Sequence, residues 1–326
     1  MQPKIIFGAT IAFIFMGTIA QTPATAVQSR PNGQILQIDG EVQLQRSDGR
    51  VLNPAPGMPI YPGDRLLTAD GGQAILQCAN LSIESVSGDR SRNLCPANTE
   101  PECDREAVAC AGERNDELFA SNPNKPYIIS PRRTALLSDR PTLRWNRVAD
   151  VTQYTVILQE NSEKLWQVTT TAAEIDYPAD KPPLQPGSEY SLVVITDTGV
   201  LSFESPIPGG LGFRLLEESA VVEVREAQQA IEAEPLDEGA KALAIAYLYS
   251  RNDLIAEAID ILEDAIVDRT ATAYLHRWLG ELYWEKAKLK ELAQTHYCQA
   301  MAFAPPEDRE IETEAIDRVA DECAMS

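Results

Sequence analysis

The chain's only two histidines, His276 and His296, stand in one stretch, "TAYLHRWLGELYWEKAKLKELAQTHYCQAMAFAPP" (residues 272–306), together with Cys298 and two of the four tryptophans. A thiol beside an imidazole is the raw material of nucleophilic catalysis, and the same groups bind zinc. The spacing argues against both. His296 and Cys298 are two positions apart, and residues i and i+2 of a helix point to different faces. A zinc site built on cysteine wants close CxxC pairs with further Cys or His. Here Cys78, Cys95, Cys103 and Cys110 are separated by 17, 8 and 7 residues with no histidine near them. The sequence holds no GxSxG elbow, no GxxxxGK[ST] phosphate loop, no HExxH and no CxxC. Carboxylates are many but spread along helical faces, and pairs such as Glu217-Glu218 read as solvated surface. The expectation is therefore no catalytic residue, no metal and no cofactor. A carboxylate-based hydrolase, needing two acids across a cleft, is the enzymatic alternative.

The chain of 326 residues is long enough for two or three domains, and its apolar (44%) and charged (24%) fractions are those of a folded protein. A net charge of −21 argues against nucleic-acid or anionic-membrane partners, which attract clustered Lys and Arg. Residues 1–26 carry a basic start at Lys4, an uncharged apolar run from Ile5 to Ala20, and small-residue sites at Thr18-Ile19-Ala20 and Ala24-Thr25-Ala26. The run is shorter than the ~18–20 apolar residues of a spanning helix, so it reads as a secretory signal peptide. The mature chain is then expected to be periplasmic or secreted, with membrane attachment only if the signal stays uncleaved. Export favours disulfides among the six cysteines. The four cysteines of the first half allow three pairings that sequence alone does not select, and the favoured one joins Cys78 to Cys95 and Cys103 to Cys110 inside "CDREAVAC". Cys298 and Cys323 are the remaining two. On straight antiparallel helices, at ~1.5 Å rise per residue, they would be offset by roughly 13 Å, beyond disulfide reach unless the tail folds back.

The elements that must position these residues fall into a small all-β module, a β-sandwich and an all-α helical repeat. Residues 27–86 alternate, with Ile35, Val42, Leu44, Val51, Leu66, Ile75 and Leu76 between tight turns at Asp39-Gly40, Asp48-Gly49 and Gly71-Gly72. Asp64, in Gly63-Asp64, reads as a turn residue closing onto backbone N–H rather than a metal or catalytic carboxylate. Residues 87–125 read as a disulfide-bearing linker. Strand patterns return over 126–216, where Trp145 and Trp166 read as core residues. From 217 to 326 the period is helical, with a polar break at Arg251-Asn252-Asp253. The scheme recurs: Ala246 aligns with Gly280, Tyr249 with Tyr283 and Ala265 with Ala300, at offsets of 34, 34 and 35. The additional residue of the second copy is expected in the turn near Lys288–Lys290. Gly209-Gly210-Leu211-Gly212 reads as a hinge ahead of the helices.

Three resemblances follow from these residues. Gly40 and Val42, "GDRLLT" (63–68) and "GGQAILQC" (71–78) resemble the FecR-like domain of exported bacterial proteins. Leu143-Arg144-Trp145, Tyr154-Thr155-Val156 and the stretch from Leu184 to Tyr190 before "SLVVI" resemble a fibronectin type III or immunoglobulin-like sandwich. That resemblance implies a tyrosine corner at Tyr190. "LGELY" (279–283) with Ala293, Tyr297, Ala300 and Pro305 resembles the tetratricopeptide repeat. It implies that His276 replaces a wedged aromatic and that His296 faces solvent beside the packing residue Tyr297. It also implies that residues 308–322 form a capping helix.

The function expected from this organisation is a non-enzymatic extracytoplasmic scaffold that binds a segment of a protein partner. The repeat resemblance places its groove on Tyr247, Ser250 and Arg251 of the first copy and on Tyr274, Arg277, Glu281 and Trp284 of the second. Tyr and Trp suit binding anchors, and the two arginines suit a carboxylate. The competing expectation for these aromatics is burial against the sandwich. A different functional class, envelope or carbohydrate binding through the β modules with the repeats for oligomerisation, is the alternative.

Overall fold

The computed structural model describes residues 31–69, 71–88, 94–96, 120, 122–203, 211–267, 272–304 and 323. The signal-peptide reading, the Cys103–Cys110 pair, Gly209-Gly210 and the capping helix lie outside these residues.

A β-rich N-terminal part is followed by helices. The first β region contains β1 (Gly33–Asp39), β2 (Val42–Gln45), β3 (Val51–Leu52), β4 (Pro59–Ile60), β5 (Arg65–Thr68), β6 (Gln73–Cys78) and β7 (Ile83–Ser87). Two antiparallel sheets, ordered β4-β1-β6-β7 and β3-β2-β5, enclose Ile35, Leu44, Met58, Leu66 and Leu76. Two of the expected turns touch: Gly40 has φ +72°, and a Cβ on Gly72 would lie 2.4 Å from the carbonyl oxygen of Glu41, so a side chain has no space there. The Asp64 carboxylate accepts the Tyr61 N–H at 2.8 Å, as expected of a turn, and also pairs with buried Arg46 at 2.5 Å. Cys78 and Cys95 are bonded, with Cα atoms 5.3 Å apart.

The second β region contains β8 (Ile128–Ser130), β9 (Thr134–Leu136), β10 (Thr142–Trp145), β11 (Tyr154–Glu160), β12 (Glu163–Thr170), β13 (Glu174–Asp176), β14 (Glu189–Thr196) and β15 (Phe213–Leu215). Its sheets, β13-β10-β8 and β12-β11-β14-β15-β9, share one core, and only β9 runs parallel to its neighbour. Strand β11 alternates buried Tyr154, Val156 and Leu158 with less buried residues, as the two-residue period requires. Trp145 packs edge-on against Tyr154, and buried Trp166 donates its indole N–H to the Tyr177 hydroxyl at 3.0 Å. The Tyr190 hydroxyl accepts the Gln185 N–H at 2.8 Å, which closes the expected corner. Gly212 is no hinge. A Cβ there would lie 2.4 Å from the Tyr190 carbonyl oxygen, and its own carbonyl accepts from the Arg133 N–H at 2.9 Å.

The helices are α1 (Glu218–Ala233), α2 (Glu238–Arg251), α3 (Ile255–Ala265), α4 (Ala273–Glu281), a π-helical turn (Leu282–Ala287) and α5 (Lys290–Phe303). Asp237 caps α2 by accepting from the Ala240 N–H at 2.7 Å, and Thr272 caps α4 by accepting from the Leu275 N–H at 3.1 Å. The α2–α3 and α4–α5 pairs correspond closely. Each first helix ends at a left-handed residue, Asp253 (φ 62°) or Lys288 (φ 57°). The carbonyl of Tyr249 accepts from Leu254 N–H, and that of Tyr283 from Leu289 N–H. These spans are five and six residues, so the additional residue lies before Lys288, in the wider π-helical turn, not in the connecting turn after it. Against Gly280, the Tyr297 ring approaches so closely that a Cβ would meet it at 2.9 Å.

The residue before helix α3, Leu254, has no capping side chain of its own. Its cap comes from the second β region: the Thr134 hydroxyl oxygen accepts from the N–H groups of Ile255 (2.8 Å) and Ala256 (3.2 Å). Beside it, Arg132 and Arg133 donate to the carbonyls of Ala287 (2.7 Å) and Lys286 (2.9 Å) at the end of the π-helical turn. Leu137 N–H donates to Glu257 at 2.8 Å, and Ala135 N–H to the Asp253 carbonyl at 2.8 Å. The first β region is tied in as well. Buried Gln34 and Gln77 donate to the carbonyls of Leu243 (3.4 Å) and Ala244 (3.3 Å), and Leu36 enters the helical core.

Cys298 and Cys323 are bonded, with Cα atoms 5.4 Å apart. The pair that the straight-helix offset left open therefore forms, with its Cα atoms within disulfide reach.

Thr134→Val removes the cap of α3 and leaves its first N–H groups buried without acceptors. It should destabilise the chain by about 1–2 kcal/mol, with Thr134→Ser close to wild type, measured by reversible denaturant unfolding.

Candidate functional site

The expected groove residues do not all reach one surface. Tyr274 is only 3% exposed and lies in the core of the first β region, with its Cβ against Gly57. The reason is the neighbouring cap residue: Thr272 also donates to the Pro56 carbonyl at 3.2 Å, which seats the start of α4 on that region. Arg277 is likewise buried, with its guanidinium 3.6 Å from Glu281 one turn on. The Ser250 hydroxyl donates to the Tyr247 carbonyl within α2 at 3.1 Å. Tyr247, Glu281 and Trp284 are half-buried, and Arg251 is exposed. Trp278, which the groove pattern did not include, is half-buried beside Tyr247 with ring centroids 6.2 Å apart. Its signal was available: it lies one turn beyond Tyr274 on the same helix.

A cleft of about 360 Å³ lies where the second β region meets the helices, a junction that local sequence patterns do not reveal. Arg144, Trp145, Arg147 and Glu174 line it from the sheet side, and Glu263 and Tyr283 from the helices. Arg144 pairs with Asp260 at 2.5 Å and Glu263 at 3.6 Å, and the Tyr283 hydroxyl donates to Glu263 at 2.6 Å. Burial, reinforced by Glu263, pushes the Tyr283 phenol well above its ordinary value. Glu257 is near this network, and burial lifts its carboxyl to about 7 against the usual carboxylate range.

The two histidines are in contact, which corrects the expectation of a solvent-facing His296. Their Nδ1 atoms are 3.1 Å apart. His296 is half-buried and stacks on Tyr283 (centroids 5.5 Å, 16°), while His276 is buried and stacks on Phe303 (5.3 Å, 7°). Burial, then the neighbouring His276, pushes His296 down to about 4, and burial lowers His276. Cys298 is occupied by its disulfide.

No protein-family model matches the chain, and no curated protein matches it. The two disulfides among the described residues fit an oxidising, extracytoplasmic compartment. Among the described residues, no helix is long and apolar enough to cross a membrane. No group of three or more His, Cys, Asp or Glu among them is placed to hold a metal.

The raised Glu257 carboxyl gives a pH signature. Its folded-state value exceeds the unfolded one, so the folded chain holds the extra proton between them, and stability falls as pH rises from about 4.5 to about 7. Glu257→Gln keeps an acceptor for Leu137 N–H and removes the buried charge. It should stabilise the protein by roughly 1–2 kcal/mol above neutrality and be near neutral in effect at acid pH, read from melting curves across pH.

Proposed function

We propose that the chain is a non-enzymatic extracytoplasmic scaffold or adaptor that binds a segment of a partner protein on the face formed by α2 and α4. Within this reading the first β region is a FecR-like module and the second a fibronectin type III or immunoglobulin-like sandwich. The helix pairs are tetratricopeptide-like repeats. The observation that carries the binding role is the Tyr247–Trp278 pair: two half-buried aromatic rings, one from each first helix, meet at 6.2 Å. Aromatic anchors of this kind supply large contact area at low entropic cost and are enriched in binding hot spots. Trp284, half-buried, and Arg251, exposed, are further expected groove residues that are not fully buried. Tyr274 is assigned instead to holding the helices on the first β region.

The support for a scaffold rather than a flexible array is the set of buried cross-region hydrogen bonds from Arg132, Thr134, Gln34 and Gln77. Such a body presents its recognition face in a fixed orientation to both β regions.

A crosslinking pull-down from the extracytoplasmic fraction tests the reading, with the mature chain beside a Tyr247→Ala/Trp278→Ala variant whose circular dichroism matches wild type. A protein recovered by the first and lost by the second is the expected result. Equal recovery by both would overturn the α2–α4 face as the binding surface.

A further inference from the structure

We infer that the His276–His296 pair is a proton-sensitive latch, which holds α5 against α4 near neutrality and loosens that contact on acidification. The geometry supplies the mechanism. With neutral imidazoles, one Nδ1–H donates to the other Nδ1 across 3.1 Å, and each ring is covered on one face by an aromatic, Tyr283 or Phe303. A single added proton preserves that bond as a charge-assisted one. A second leaves two Nδ1–H donors facing each other, so two positive charges are held together in a half-buried aromatic sandwich with no acceptor between them.

Among the described residues, the nearby charges are engaged elsewhere. On α4, Arg277 faces Glu281; behind the π-helical turn, Glu263 is engaged by the Tyr283 hydroxyl and Arg144. Glu285 pairs with Lys288, and Glu291 of α5 accepts from the Tyr127 hydroxyl. Among the described residues, the charge effect on the pair is that of His276 on His296, while burial alone lowers His276. The pair also sits where movement would propagate. The same α4–α5 contact packs Tyr297 on Gly280, and α5 carries the disulfide to Cys323.

Both folded-state values lie below that of a free histidine, so the open form binds more protons than the closed one. The latch is complete above about pH 6.5 and weakens as pH falls toward about 4, by up to about tenfold per pH unit for each histidine titrating in that window. Because α4 carries Trp278, loosening would also alter the face assigned to partner binding; that consequence alone rests on the proposed function.

Hydrogen exchange of the full chain, corrected for intrinsic rates and compared at about pH 7.5 and about pH 4.5, reads the latch directly. The expected result is that peptides of α4 and α5 lose at least about tenfold more protection than those of α2 and α3 at the lower pH. His276→Phe, which keeps an aromatic in place and removes the second positive charge but not the burial of His296, should shrink the difference severalfold. His296→Gln provides the same reading if His276→Phe does not fold. Uniform loss across all helices would overturn the inference. So would an acid-induced loss in α4 and α5 that both variants share in full with wild type, since it would then not originate in the pair.

Discussion

The structure depends on one short segment, Arg132 to Leu137, whose polar groups complete helices that belong to another part of the chain. Helix α3 begins without a cap of its own, and the π-helical turn after α4 ends with carbonyls that its own backbone does not satisfy. Thr134 supplies acceptors to the first, and the guanidiniums of Arg132 and Arg133 supply donors to the second. Orphan groups at helix ends are costly when buried. The Thr134 and Arg132 bonds are buried, and they therefore make the stability of the helices conditional on the second β region being folded and docked. The Arg144–Asp260 pair and the Leu137–Glu257 bond extend the same coupling along α3.

The coupling accounts for the shape of the second helix pair. Its additional residue widens the backbone into a π-helical turn at the point where Arg132 and Arg133 collect the freed carbonyls. That turn carries Tyr283, whose hydroxyl reaches Glu263 and whose ring seats His296. The histidines that attract attention as catalytic candidates are thus joined to the inter-region network through one tyrosine. What they offer is a titratable contact between two helices.

Much of the fold was legible because it is written in local periods. Alternation along β11, the corner at Tyr190, the core position of Trp145 and the offset between the helix pairs all follow from residues close in sequence. The misreadings share one cause, which is contact across the chain. Thr134 caps a helix 121 residues away, and Tyr274 disappears into a β core formed before residue 87. His296 meets His276 across the α4–α5 contact, 20 residues away in the chain. The candidate binding face was accordingly read in part. Of the expected residues Tyr247 and Trp284 are half-buried and Tyr274 and Arg277 buried, and Trp278 lies beside Tyr247.

The central claim, that the second β region and the helices hold each other folded, is tested most directly by denaturant unfolding of the disulfide-intact chain with two separable probes. A Trp278→Phe/Trp284→Phe variant leaves Trp145 and Trp166 as the only tryptophans, so fluorescence reports the second β region while far-UV circular dichroism reports the helices. The account predicts coincident transitions by the two probes. Helical signal lost at a clearly lower denaturant concentration than the fluorescence change, or the reverse order, would contradict it.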